Sequence, residues 1–255
     1  MLTPAQADHY KTEGYVVVPD FLSPDQVAAF LAEMDSVSAD STLWLGTDAG
    51  LVAFDGEQFR LYGMDRGLPH PMVHALVPAG PRELWIGTGA GLARWRDGRI
   101  SAVLADSVLP NPAVIALAAA PDGALWLGTG AGLVRYREGR TQVFTSAEGL
   151  PHDYVRSLAV DSDGRLWIAT SGGLAAFEDG EFTRFTTAEG LATNLLYNLF
   201  FDRDGGLWIG TLGGGVMRYD GRQFRRLTTR EGLLSNTVRH IVQDRDGHIL
   251  LSTDK

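Results

Sequence analysis

The stretch Asp202-Arg203-Asp204-Gly205-Gly206-Leu207-Trp208-Ile209-Gly210-Thr211 decides the fold, because the chain repeats it in register. Near copies of its second half are Leu43-Trp44-Leu45-Gly46-Thr47, Leu84-Trp85-Ile86-Gly87-Thr88, Leu125-Trp126-Leu127-Gly128-Thr129 and Leu166-Trp167-Ile168-Ala169-Thr170. Successive tryptophans stand 41 residues apart, and only Trp95 falls outside the series. A degraded sixth copy, Ile249-Leu250-Leu251-Ser252-Thr253, follows after 42 residues because Gly213-Gly214-Gly215 is one residue longer than the earlier turns. A fixed period of this size means a repeat architecture.

Working outward, each unit reads as four short strands. In the fourth, Val155 to Val160 is an apolar, β-branched run, Asp161-Ser162-Asp163-Gly164 a turn, and Leu166 to Thr170 a second strand. Ser171-Gly172-Gly173 turns the chain into Leu174 to Phe177, and Asp179-Gly180 turns it into Phe182 to Thr186. An aromatic column (Phe54, Trp95, Tyr136, Phe177, Tyr219) precedes an acid-Gly turn in every unit. Asp-Gly suits the positive φ of tight hairpins. Short, evenly spaced strands predict an all-β chain, and four strands per ~40–50 residues is a β-propeller blade. The tryptophan is then a wedge between blades. The Asp-x-Asp-Gly tetrads at 161, 202 and 244 lack the further oxygen ligands of a calcium loop and read as turns.

Composition narrows the function classes. The 255 residues include no cysteine, which removes disulfides, thiolate nucleophiles and Cys-bearing metal sites. Apolar content is 45%, enough for a core. Net charge is −9, and much of it sits in residues 1–40, where seven acids face one base, Lys11. The rest is nearly balanced, with no basic stripe for nucleic acid. No apolar run reaches membrane-span length, and the N-terminus has no secretory leader pattern. The expected location is the cytoplasm.

Glu231-Gly232-Leu233-Leu234-Ser235-Asn236-Thr237-Val238-Arg239, with Asp202 to Thr211 and Gly213 to Gly221, resembles the two-component regulator propeller repeat over residues ~42–253. That family builds sensor propellers of bacterial hybrid histidine kinases, typically periplasmic, on which ligands, often oligosaccharides, dock. The resemblance therefore implies a sensor. The chain departs from the family in having no transmembrane helix, kinase or response-regulator domain, so no kinase output of its own is expected.

Residues 1–40 have a different grammar. Thr3-Pro4-Ala5-Gln6 and Ser23-Pro24-Asp25-Gln26 each read as a helix start, and Tyr15 to Val18 reads as a strand. The run Leu2 to Pro24 resembles the start of phytanoyl-CoA dioxygenase family proteins. Those enzymes hold Fe(II) through a triad containing His-x-Asp. None of the six histidines is followed two residues later by Asp, so dioxygenase chemistry is not expected. The expected organisation is a helix-strand-helix leader over 1–40 and a propeller over 41–255.

The first repeat begins at its second strand and the last ends there, giving twenty-one strands where five blades need twenty. Five blades are predicted, closed by Val238 to Asp244 supplying the missing innermost strand of the first blade. The alternative is an open or incomplete six-blade arc, left exposed at its strand edges.

Function is expected on the loops joining an outer strand to the next inner strand. These carry His70, Asn111, His152, Asp153, Asn194 and Asn236, followed by His74, Arg156, Tyr197 and Arg239, with Ile115 in the same column. This column varies in chemistry while the scaffold columns do not, which favours ligand contact; solvated loops and turn bonding are the plain alternative. The leading expectation is a non-catalytic ligand-sensing or protein-docking propeller with no cofactor or metal. Its partner would be a small polar ligand or glycan, or a signalling protein. Two alternatives stand: a propeller lyase or hydrolase with a metal-dependent His site at His70, His74 and His152, and a truncated or fused gene product without independent function.

Overall fold

The computed structural model describes residues 15–17, 42–55, 57–80, 82–104, 108–244 and 247–254. The chain divides into two compact units. The first holds two four-stranded sheets. One is β1 (Tyr15–Val17), β2 (Leu43–Gly46), β3 (Leu51–Phe54) and β4 (Phe59–Tyr62); the next is β5 (Val73–Gly80), β6 (Glu83–Thr88), β7 (Gly91–Arg96) and β8 (Arg99–Leu104).

The second unit continues the pattern. Its first sheet is β9 (Val114–Ala119), β10 (Leu125–Thr129), β11 (Gly132–Arg137) and β12 (Arg140–Phe144). The next comprises β13 (Val155–Val160), β14 (Leu166–Thr170), β15 (Gly173–Glu178) and β16 (Glu181–Phe185). The third comprises β17 (Leu196–Phe201), β18 (Leu207–Thr211), β19 (Val216–Tyr219) and β20 (Phe224–Leu227). A sixth sheet has two strands, β21 (Val238–Gln243) and β22 (Ile249–Thr253). The predicted all-β blades are therefore present, with five sheets of four strands and an incomplete sixth.

One expectation is overturned. The innermost strand of the first sheet is β1, paired parallel to β2 through Tyr15↔Trp44, Val16↔Leu45 and Val17↔Gly46. β21 pairs with β22 instead. The unpaired N–H and C=O groups of the β2 edge accept whichever strand reaches them. The stretch from Val17 to Leu43 is long enough for the crossover that a parallel pair requires. Val18, expected at the end of this strand, lies outside the described residues. The two helices expected in the leader lie outside the described residues.

The repeated residues each have a physical task. β10 and β14 are buried along their whole length, as the centre of a layered stack demands. Within the units, Trp44, Trp126 and Trp167 pack on the aromatic column of the following repeat. Trp126 lies 5.3 Å from Phe177, Trp167 lies 5.6 Å from Tyr219, and in the first unit Trp44 lies 4.6 Å from Trp95. The tryptophan outside the 41-residue series is thus a member of the aromatic column. Such ring pairs add about 0.5–1.5 kcal/mol beyond area burial.

The Gly-Thr that follows the tryptophan is equally constrained. A Cβ on Gly128 would stand 2.6 Å from Val155 Cγ1, and one on Gly210 would stand 2.7 Å from the Val238 carbonyl oxygen. The next innermost strand leaves no room for a side chain there. The threonine hydroxyl donates across the following turn, from Thr129 to Gly132 O at 2.8 Å and from Thr170 to Gly173 O at 2.7 Å. The acid-Gly hairpins have positive φ at both central residues in three repeats (Asp97, Glu138 and Asp179, each followed by glycine), as a type I′ turn requires.

Neighbouring inner strands of the second unit are latched by polar side chains. The buried Ser157 Oγ accepts from Leu199 N at 3.0 Å, and Asn198 Oδ1 accepts from Ile241 N at 3.2 Å.

Candidate functional site

The connections from outer to inner strand are built on a recurring Thr-x-x-Glu-Gly-Leu turn. In the units starting at Thr186 and Thr228 it is a short 3-10 helix with a full capping box. Glu189 Oε2 accepts from both the N–H (2.7 Å) and the hydroxyl (2.8 Å) of Thr186. The same pair of bonds joins Glu148 to Thr145 and Glu231 to Thr228. The threonine hydroxyl, then the threonine N–H, holds each of these carboxyls below its ordinary pKa.

Six of the predicted residues bond to the backbone of this connection. Asp153 Oδ1 accepts from Ser146 N at 2.6 Å, Asn194 Oδ1 from Thr187 N at 2.9 Å and Asn236 Oδ1 from Thr229 N at 2.8 Å. One position earlier runs a second column of acceptors, each taking the N–H two residues on. His70 Nδ1 bonds Met72 N at 3.1 Å, Asn111 Oδ1 bonds Ala113 N at 3.0 Å, and His152 Nδ1 bonds Tyr154 N at 2.9 Å. Thr193 and Ser235 hydroxyls do the same for Leu195 and Thr237. An accepting Nδ1 places the proton of the neutral ring on Nε2.

The column four residues further on behaves differently. It holds His74, Ile115, Arg156, Tyr197 and Arg239, the second residue of each inner strand from β5 to β21. In β5, β13 and β17 the register slips at this point: Val73 and Ala75, Val155 and Ser157, and Leu196 and Asn198 oppose consecutive residues of the partner strand. His74, Arg156 and Tyr197 are therefore the extra residues of β-bulges, which re-aim a side chain out of the ladder.

In the second unit this column assembles into a ladder. The Tyr197 ring lies between two guanidinium groups, with Arg156 Cζ 5.0 Å and Arg239 Cζ 5.2 Å from its centroid. Arg156 Cζ also stands 4.7 Å from the Tyr154 ring. Arg156 Nε donates to Ser171 Oγ at 3.1 Å, and Arg239 Nε donates to an oxygen of Asp254. His70, His74 and Asn111 belong to the first unit and are described only within it.

Tyr154, Ser171 and Asp254 are site residues that the sequence reading missed. Ser171 and Asp254 share one repeat position, directly after the scaffold threonine. That position also holds Asp48, Gly89, Gly130 and Leu212, so the same variation in chemistry was the signal.

The Asp-x-Asp-Gly turns have their carboxylates engaged. Asp202 accepts from Asp204 N, Gly206 N, Trp208 Nε1 (2.7 Å) and Arg218 Nε (2.7 Å). Burial alone would raise its pKa, but Arg218, Trp208 and the Gly206 N–H together outweigh burial and lower it. Asp161 binds Trp167 Nε1 in the same manner at 3.0 Å. These aspartates satisfy the indole N–H of the buried Trp167 and the half-buried Trp208. Among the described residues no three His, Asp or Glu side chains are placed to hold a metal ion, and no helix is long and apolar enough to cross a membrane.

Comparison with known proteins agrees with this architecture. The two component regulator propeller family matches residues 149–172, 190–213 and 232–255. Three segments of the chain thus match that repeat. None of the matched segments covers the leader. The extracellular domain of a hybrid two-component system from B. thetaiotaomicron aligns with TM-score 0.71 and 24% identity, over 86% of this chain and 33% of that one. The chain thus spans a third of that structure's length. Virginiamycin B lyase from Staphylococcus aureus aligns with TM-score 0.65 and 17% identity, over 86% and 76% of the two chains. A YCF48 structure with a bound peptide aligns with TM-score 0.59 and 19% identity, over 82% and 71%. At these identities the likeness is one of fold. No curated protein matches the chain.

Proposed function

We propose that the chain is a non-catalytic binding propeller of the two-component regulator type, which senses a small polar ligand or docks a protein. The observation that supports this most is the ladder at the bulges. The scaffold positions of the repeat are filled by residues with internal tasks, whereas Arg156 and Tyr197 are turned out of their strands at bulges, and the Tyr197 ring is stacked with both Arg156 and Arg239. Cation and aromatic groups held in this way suit recognition of polar ligands and are enriched at binding hot spots. The metal-dependent lyase reading has less support, because His70 and His152 each direct Nδ1 at their own backbone.

The test is a binding screen of the folded chain against a panel of oligosaccharides and proteins, with Arg156→Ala and Arg239→Ala in parallel. The expected result is at least one ligand whose affinity falls about ten-fold or more in either variant. Absence of binding throughout the panel, or binding indifferent to both substitutions, defeats the reading.

A further inference from the structure

We propose that the ladder of Tyr154, Arg156, Tyr197 and Arg239 binds an acidic saccharide, specifically a sugar ring bearing one carboxylate. This deepens the binding-module reading above and rests on it.

The inference begins with how Arg156 is held. Among the described residues eight other arginines are paired with carboxylates, including Arg94 with Glu83, Arg135 with Asp122, Arg165 with Glu178, Arg218 with Asp202 and Arg239 with Asp254. Arg156 is fixed without being neutralised. Two tyrosine rings clamp its faces, and its Nε bonds a neutral hydroxyl, Ser171. Among the described residues no carboxylate pairs with it. Clamping and the Nε bond both leave the Nη edge of the guanidinium unused. That edge matches a carboxylate through two parallel hydrogen bonds. Because the rings immobilise the side chain, little rotamer freedom is lost on binding.

The neighbours select the rest of the ligand. Arg239 is already offset by Asp254, so the ladder offers one uncompensated positive charge and suits one carboxylate. Asp254, 37% exposed, can accept from a sugar hydroxyl and repels a second ligand anion, which disfavours an acidic peptide or a polyphosphate. The Tyr154 ring is 36% exposed and offers an apolar face for the C–H side of a sugar. Asp153, in the same connection, is directed at Ser146 N.

The experiment is calorimetric titration of the whole chain with tri-galacturonate and tri-glucuronate. Galactose and glucose trimers are the neutral counterparts, and titrations run at low and high salt. We expect an acidic trimer to bind about ten-fold or more tightly than its neutral counterpart, with the preference shrinking as salt rises. Arg156→Ala should remove the preference, lowering the affinity for the acidic trimer about ten-fold more than that for its neutral counterpart, a split that a merely structural role would not produce. Arg156→Lys, which keeps the charge but not the fork, should retain part of it and serves if the alanine variant fails to fold.

Equal affinity for neutral and acidic trimers overturns the assignment and leaves the sensing reading standing. An acidic preference that survives both Arg156 variants also overturns it. Failure of every saccharide overturns it too; if no protein of the panel binds either, the sensing reading falls with it.

Discussion

Two columns of the repeat stand four residues apart and look alike in sequence. One runs His70, Asn111, His152, Thr193, Ser235; the other runs His74, Ile115, Arg156, Tyr197, Arg239. Both vary in chemistry from blade to blade, and both flank a fixed apolar position. In the first column the variation hides a constant role. Imidazole, amide and hydroxyl all present an acceptor to the N–H two residues on. In the second column no single role is shared, and the bulge turns the side chain away from the ladder bonds. Variability therefore marks a surface for ligands only where the backbone has released the side chain from internal work.

The strongest check on this contrast uses a side chain with the most internal work. Asp202 has four donors and a side chain only 5% exposed. Asp202→Ala strands Arg218 and the Trp208 indole, and should cost about 3 kcal/mol by the scale for charged buried hydrogen bonds. Thermal or urea unfolding measures it, and a loss below 1 kcal/mol would break the distinction between occupied and released positions. The sign with pH follows from the lowered carboxyl pKa. A depressed pKa gives stability that is complete above the ordinary value of 3.8 and is lost as pH falls through the folded value. The acid limb of unfolding should be shallower in Asp202→Asn than in the parent chain.

A smaller effect separates latch from ladder. Ser157 and Arg156 are adjacent, but Ser157 faces the next inner strand, where its Oγ accepts from Leu199 N. Ser157→Ala leaves that buried N–H without a partner and should cost about 1–2 kcal/mol. Ligand affinity should not change. Tyr197→Ala should do the reverse, reducing ligand affinity with a shift in stability of about 0.5–1 kcal/mol, the value of exposed cation–π contacts. If both substitutions act alike on both readouts, the bulge does not divide scaffold from site.

The sequence made the blade legible because the period acts on residues with steric consequences. Trp126 and Trp167 repeat because only a large ring fills the gap to Phe177 and Tyr219, and Gly128 repeats because a Cβ would meet Val155. The ladder residues were legible as a column, but their stacking was not. Whether Tyr197 meets Arg156 and Arg239 depends on a one-residue bulge and on distances between adjacent strands, neither of which spacing encodes. The edge partner of β2 was misread for a related reason. Pattern identifies Tyr15–Val17 and Val238–Gln243 equally as strands, and backbone hydrogen bonds at an open edge carry no side-chain signature.

The smallest expected effect is the most discriminating. His152→Asn should change stability by less than about 0.5 kcal/mol, because Asn111 makes the equivalent bond at 3.0 Å where His152 makes it at 2.9 Å. His152→Ala removes the acceptor and should cost about 1 kcal/mol, as for other turn caps. The pair distinguishes a cap from a ligand or metal contact: a cap needs only an acceptor at that distance, whereas a contact needs the imidazole itself. Melting and saccharide titration of both variants decide between them. Equal binding by the parent and His152→Asn keeps His152 among the turn residues. Loss of binding with unchanged melting would move it into the site beside Tyr154, whose N–H it caps, and the four-residue separation between the two columns would no longer divide structure from recognition.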